Sequence, residues 1–239
     1  MSFIILLIVA LLPAALLWAY IWKKAPQKEP TSLLIKAGLY GAGICLPVAL
    51  LEFGIEAVLF GEDGTPSTLF DSTTMAFFVA AIPEESFKLL ALWLVVRHNP
   101  YFDEHFDGIV YAVCVGLGFA AMENVGYVIS EDENWLMVAV SRALLAVPGH
   151  YAFAVLMGYY YSLYHYVNRS VRNKVLILRA PVLAHGIYDA LAMTSLVNPV
   201  VGGVGAILLV YFCIKMHKFA HKKVLAQIQK DHDSQETVC

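Results

Sequence analysis

Four ionisable side chains of the kinds that activate water lie inside long apolar stretches of the sequence. Glu84 and Glu85 are adjacent, whereas His150 and His185 each lie in a later stretch. Two imidazoles and carboxylates form the ligand set of a hydrolytic zinc site that keeps an open position for water. A further carboxylate can act as general base on that water. The four residues therefore predict hydrolysis at a polar site within a membrane.

The roles of the two glutamates are predicted from Lys88, which follows Glu84 by four residues. A lysine at this helical spacing keeps the Glu84 carboxylate ionised and available as a third zinc ligand beside His150 and His185. Burial without a cation would leave Glu85 with the raised pKa that suits a general base. The prediction is therefore Glu84, His150 and His185 as ligands, with Glu85 as base.

Further polar residues occur near these four. Asp189 follows His185 by one helical turn and is expected to be another ligand or to orient that imidazole. Glu123, which precedes Asn124, is either part of the catalytic site or one half of a hydrogen-bonded helix clamp. Arg142 is interpreted as an anchor at the outer leaflet.

The composition indicates a membrane protein. Hydrophobic residues make up 59% of the 239 positions and charged residues 15%, whereas soluble domains carry about 25% charged residues. The net charge of -3 and the short basic clusters exclude the broad basic face of a nucleic-acid-binding protein. The four cysteines form no CxxC pair, so neither a zinc knuckle nor a redox site is expected.

Seven apolar stretches are long enough to cross a bilayer, which requires about 20 residues per helix. The predicted spans are 2–22, 33–60, 70–96, 107–129, 135–164, 177–197 and 200–218. The predicted fold is an all-α, polytopic membrane helical bundle that forms one domain over residues 1–239. Residues from about 219 to 239 are expected to form a cytoplasmic tail.

Loop charges predict the orientation of this bundle. Basic residues follow the first, fifth and seventh spans, as at Lys23, Arg172 and Lys222, which assigns these segments to the cytoplasm. The turns at 62–63 and 131–133 are acidic and alternate with the basic ones. The N-terminus is therefore predicted outside and the C-terminus inside.

Helix depth suggests that the four ionisable residues share one layer. At 1.5 Å per residue they lie about 18 to 22 Å below the outer surface, although they come from three helices. Asp189 lies one turn above His185, and Glu123 is higher, about 9 Å down. An ionisable group at mid-bilayer costs about 2.5 to 3.5 kcal/mol, so such a layer requires a function. Pro83 is expected to loosen its helix there and to admit water.

Four segments carry a resemblance to a known family. They are EESFK at 84–88, FDGIVYAVCVGLGFAAMENVGY at 106–127, PGHYAFAVLMGYYY at 148–161 and LAHGIYDA at 183–190. In this order they resemble the PrsW family of intramembrane proteases, related to the CAAX-processing endopeptidases. The resemblance covers about 70–197, which is the expected protease core, and assigns the glutamate pair and the two histidine motifs to the catalytic site.

The resemblance also implies a substrate and a location. Family members make the first, extracytoplasmic cut in an anti-sigma factor, a single-span membrane protein, so the chain is expected in the bacterial cytoplasmic membrane. Zinc is the expected cofactor. The related endopeptidases have also been interpreted as metal-free enzymes in which a glutamate activates water, so this alternative stays open. The oligomeric state is not predicted.

Other classes can be compared with the same residues. The chain has neither GxSx nor HExxH, the motifs of rhomboid-like serine proteases and site-2-type metalloproteases. Presenilin-like aspartyl proteases need YD and GxGD; Tyr188-Asp189 supplies the first, but the second is absent. The main alternative is a proton-coupled transporter or channel that uses the buried Glu, His and Lys as a relay. No inverted repeat supports it. A haem site with His150 and His185 as axial ligands fits the surrounding carboxylates less well.

Overall fold

The computed structural model describes residues 3–61, 64–131 and 133–236. The structure is 87% helical, and the described residues contain no strand. Seven long helices follow one another in this part of the chain: α1 Phe3–Lys24, α2 Thr31–Phe60, α3 69–96, α4 Asp107–Ser130, α5 Trp135–Val167, α6 Val171–Leu196 and α7 Pro199–Glu236. The predicted all-α bundle is therefore confirmed.

Six of these helices are long and apolar enough to cross a membrane. The exception is α3, which carries Glu84, Glu85 and Lys88 near its middle. Its neighbours enclose these charges, so the polar residues of α3 face protein, as ionisable residues of membrane helices generally do. The predicted membrane orientation depends in part on the acidic residues at positions 62, 63 and 132, and these lie outside the described residues.

The helix α4 lies at the centre of the bundle and is the most buried of the six candidate spans. It packs against α1, α2, α3 and α5. Its close approach to α5 depends on Gly108 and Gly158, because a Cβ on Gly158 would lie 2.2 Å from the Gly108 carbonyl oxygen. Small residues allow such backbone contact between membrane helices. The close packing holds the Glu123 and His150 helices side by side.

Two helices change their hydrogen-bond pattern just before the residues of interest. Residues Met75–Ala81 of α3 and Arg142–Ala146 of α5 are π-helical. Each segment is followed within two residues by a proline, Pro83 or Pro148. Proline lacks the N–H that continues an α-helix, and π segments often occur at functional sites. The expected loosening at Pro83 is therefore seen as a local change of helix type.

The last helix is longer than the hydropathy pattern predicts. Residues 219–236, expected as a tail, continue α7 without a break. The buried carboxylate of Asp231 accepts hydrogen bonds from the backbone N–H groups of His105 (2.7 Å) and Phe106 (2.8 Å). These donors immediately precede α4, at the helix end where N–H groups have no partner within the helix. The C-terminal segment is therefore docked onto the bundle.

Candidate active site

The structure brings together the four residues predicted from three separate helices. Glu84 and Glu85 are 5% and 0% exposed, and His150 and His185 are 5% and 3% exposed. One nitrogen or oxygen atom from each lies within 4.8 Å of the others. The approach of α6 to α3 depends on Gly186, where a Cβ would lie 2.4 Å from the Phe77 ring. The predicted convergence of these four residues is therefore observed.

Lys88 occupies the middle of this group. Its ammonium nitrogen Nζ lies 2.8 Å from Glu84 Oε2, 2.9 Å from Glu85 Oε1 and 3.1 Å from His150 Nδ1. The premise that Lys88 contacts Glu84 alone is therefore wrong, because positions i+3 and i+4 of one helix are both within reach of the flexible side chain. The contact with Lys88 does not distinguish the two glutamates.

His150 connects the centre to a second acidic group. Its Nδ1 faces Lys88, and its Nε2 lies 2.8 Å from Glu123 Oε2. With Lys88 donating to Nδ1, the Nε2–H donates to Glu123. Glu123 therefore contacts the site directly, at the edge of the layer, rather than lying apart from it.

Arg142 supports this connection and is the residue that sequence reasoning missed. Its guanidinium lies 3.0 Å from Glu123 Oε2, and its Nε donates to Asn124 Oδ1 at 2.8 Å. The Asn124 amide in turn donates to the Ala10 carbonyl of α1 at 2.7 Å. Arg142 therefore belongs to the site and is not an outer-leaflet anchor. The available signal was its position two helical turns before His150.

His185 has the same arrangement as His150. Its Nδ1 lies 2.9 Å from Glu85 Oε1, and its Nε2 lies 3.1 Å from Asp189 Oδ2. Phe153 stacks on the imidazole with centroids 4.8 Å apart and planes 19° apart. Asp189 is thus placed to orient His185, one of the two roles expected for it.

A cavity of about 930 Å³ reaches the site. Its lining includes Glu84, His150 and His185 but not Glu85. Most of the other lining residues come from those halves of α2 to α7 that loop charges assign to the outer side, among them Glu56, Val79, Ser130, Ser141, Ser195 and Gly202. A water molecule or peptide in the cavity can therefore reach Glu84, whereas Glu85 lies behind it.

The donor set fits a divalent metal ion. Both histidines direct Nδ1 to the centre and Nε2 to a carboxylate, which is the carboxylate–histidine–metal arrangement of many metalloenzymes. Glu85 Oε2 is buried and has no hydrogen-bond partner, as expected for an oxygen that serves an additional ligand. The group of donor atoms would have to become more compact, because a tetrahedral zinc ion with metal–ligand distances of about 2.1 Å has its ligand atoms about 3.4 Å apart.

Comparisons with known proteins identify the family. A family model described as PrsW family intramembrane metalloprotease matches residues 29–216. The chain is 35% identical over 178 residues to Protease PrsW of Oceanobacillus iheyensis, covering 74% of this chain and 78% of that protein. It is 36% identical over 170 residues to Protease PrsW of Clostridioides difficile, covering 70% and 69%.

A third relative is Protease PrsW of Bacillus subtilis, 32% identical over 186 residues, which cover 77% of this chain and 80% of that protein. No solved structure matches the chain. The matches decide between a protease and the transporter alternative in favour of the protease. With its buried Glu and His cluster and its membrane-spanning helices, the chain belongs to the PrsW family of intramembrane metalloproteases.

Proposed function

We propose that the chain cuts a single-span membrane protein, an anti-sigma factor, on its extracytoplasmic side. Family membership supports proteolysis. The observation that carries the proposal is the cavity, which connects the glutamate and histidine cluster to the helix ends assigned to the outer side. A peptide that enters from that side can reach Glu84, His150 and His185.

The proposed metal is zinc, held by Glu85, His150 and His185. When bound, zinc polarises the scissile carbonyl and lowers the pKa of water to about 7. Glu85 is preferred to Glu84 as ligand because it is fully buried and already lies 2.9 Å from His185 Nδ1. This assignment exchanges the roles of Glu84 and Glu85 predicted from the sequence. That prediction assumed that Lys88 contacts Glu84 alone, whereas Lys88 contacts both carboxylates.

Glu84 is the proposed general base. It lines the cavity, so its carboxylate can take a proton from water beside the scissile peptide and give it to the leaving amine. Asp189 and Glu123 hold the imidazole rings with Nδ1 directed to the centre. Arg142 keeps Glu123 in place. Phe153 and Phe119 cover the polar centre with aromatic surface, which limits free access of water.

The test is cleavage of a single-span substrate by purified protein in proteoliposomes. Alanine at Glu84, Glu85, His150 or His185 is expected to abolish cleavage while the protein still inserts and accumulates. Surface variants with the same chemical changes, Glu133→Ala and His221→Ala, are the controls, since both side chains are exposed.

Two results of this assay would refute the proposal. Undiminished cleavage by the four alanine variants would remove the site. Ion-gradient-dependent uptake without any proteolysis by the wild-type chain would favour the transporter alternative instead.

A further inference from the structure

Lys88 has no hydrogen-bonding capacity left for groups outside the site. An ammonium group has three N–H donors, and three acceptors surround it at 2.8, 2.9 and 3.1 Å, on Glu84, Glu85 and His150. The side chain is 3% exposed, and its Nζ lies 4.3 Å from the centroid of the Phe119 ring. The ammonium is therefore fixed between the carboxylates and the imidazole.

All three acceptors belong to the four residues that could hold a metal ion. An ion bound by Glu85 and His150 needs a carboxylate oxygen of one and Nδ1 of the other at about 2.0 to 2.2 Å. His150 Nδ1 and Glu85 Oε1 both face Lys88 Nζ, whereas Glu85 Oε2 has no hydrogen-bond partner. Donor atoms of the four residues lie within 4.8 Å of one another, and Glu85 Oε1 and His185 Nδ1 are already 2.9 Å apart, whereas the ligands of tetrahedral zinc lie about 3.4 Å apart. The ammonium group between Glu85 and His150 keeps an ion from binding to both.

We infer that Lys88 is the built-in cation of the site and that it competes with a divalent metal ion for the same donors. The inference rests on the proposed function, in which Glu85, His150 and His185 are the ligands. Metal binding requires withdrawal of the ammonium, so the wild-type chain binds zinc weakly unless something moves Lys88. In the resting site the lysine balances the buried carboxylates, which are costly without a cation.

The inference is tested by titrating the purified chain in nanodiscs with zinc and measuring the binding by isothermal titration calorimetry. Lys88→Met keeps the length of the side chain and removes its charge, and we expect it to bind Zn²⁺ on the order of tenfold more tightly than the wild type, or more. Lys88→Met combined with His150→Ala is expected to lose this gain, because the gain requires the histidine ligand.

Removing Lys88 leaves two buried carboxylates unbalanced and could prevent folding. The second variant, Glu84→Gln with Lys88→Met, removes one charge of each sign and keeps all three proposed ligands. It is expected to bind zinc more tightly than the wild type as well. Helical circular dichroism and a single size-exclusion peak show that each variant is folded, and where Lys88→Met alone does not fold, the charge-balanced variant decides.

Three results would overturn the inference. Equal and tight zinc binding by the wild type and the lysine variants would show that Lys88 does not compete, while the ligand assignment stands. A gain that survives loss of His150 would place the zinc elsewhere. Absence of zinc binding in every variant would remove both this inference and the metal proposed for the reaction.

Discussion

The ion pair between Arg142 and Glu123 is expected to control catalysis through His150. Arg142 and His150 contact the same oxygen, Glu123 Oε2, at 3.0 and 2.8 Å. In Arg142→Met the carboxylate loses the group that fixes it against the imidazole. His150 then loses the partner that keeps its Nε2 protonated and its Nδ1 directed to the centre.

The size of the effect can be worked from these contacts. Loss of a residue that orients a ligand costs about 10- to 100-fold in activity, which corresponds to about 1.4 to 2.7 kcal/mol. Breaking a fully buried ion pair costs about 3 to 5 kcal/mol of folding stability. The Arg142 and Glu123 side chains are 13% and 19% exposed, so we expect about 2 kcal/mol for Arg142→Met.

A double-mutant cycle measures whether the two residues act through one pathway. Arg142→Met and Glu123→Gln are each expected to lower kcat/KM by about 10- to 100-fold, and the double variant by little more than the worse single variant, because both act on His150. Arg142→Lys keeps the charge and should recover part of the activity. Multiplicative losses, or wild-type activity in Arg142→Met, would refute this coupling.

Three further predictions concern the glutamates, the end of α7 and the orientation of the chain. With zinc added, Glu84→Gln should bind as much metal as the wild type and lose about 10²- to 10⁴-fold in turnover, whereas Glu85→Gln should lose both. Metal analysis beside rate measurements separates the two variants, and the opposite pattern would restore the roles predicted from the sequence. Asp231→Asn should lower the thermal unfolding midpoint without changing cleavage, since charge-assisted hydrogen bonds contribute about 1.5 to 3 kcal/mol. An unchanged midpoint would mean that α7 is not held by this contact. Cysteines introduced at Gly64 and Arg172 should be labelled from opposite sides of the membrane, and labelling from the same side would contradict the predicted orientation.

The sequence was sufficient to predict seven long helices and to single out the four central residues. Charged side chains within apolar stretches are rare and costly, so Glu84, Glu85, His150 and His185 were conspicuous without any structure. Their depths could be compared because helical rise is constant. The π segments before Glu84 and His150 were indicated only by the prolines at 83 and 148.

The contacts between side chains could not be derived in this way. Lys88 reaches both glutamates because its side chain is long and flexible, and helical spacing alone does not choose between them. The partner of Arg142 lies on a different helix, α4, so its pairing depends on packing. The length of α7 was missed because hydropathy falls after residue 218, while Asp231 docks the remaining turns on α4.

The most direct measurement of the central claim is proteolysis in ¹⁸O-labelled water. Purified wild-type chain and Glu84→Gln are each reconstituted with a single-span substrate, and the products are identified by mass spectrometry. Hydrolysis at this site predicts two fragments from the wild type, with one ¹⁸O in the new C-terminal carboxylate, and no fragments from Glu84→Gln beyond background. Equal yields of labelled fragments from both proteins would contradict the claim that this cluster carries out the reaction.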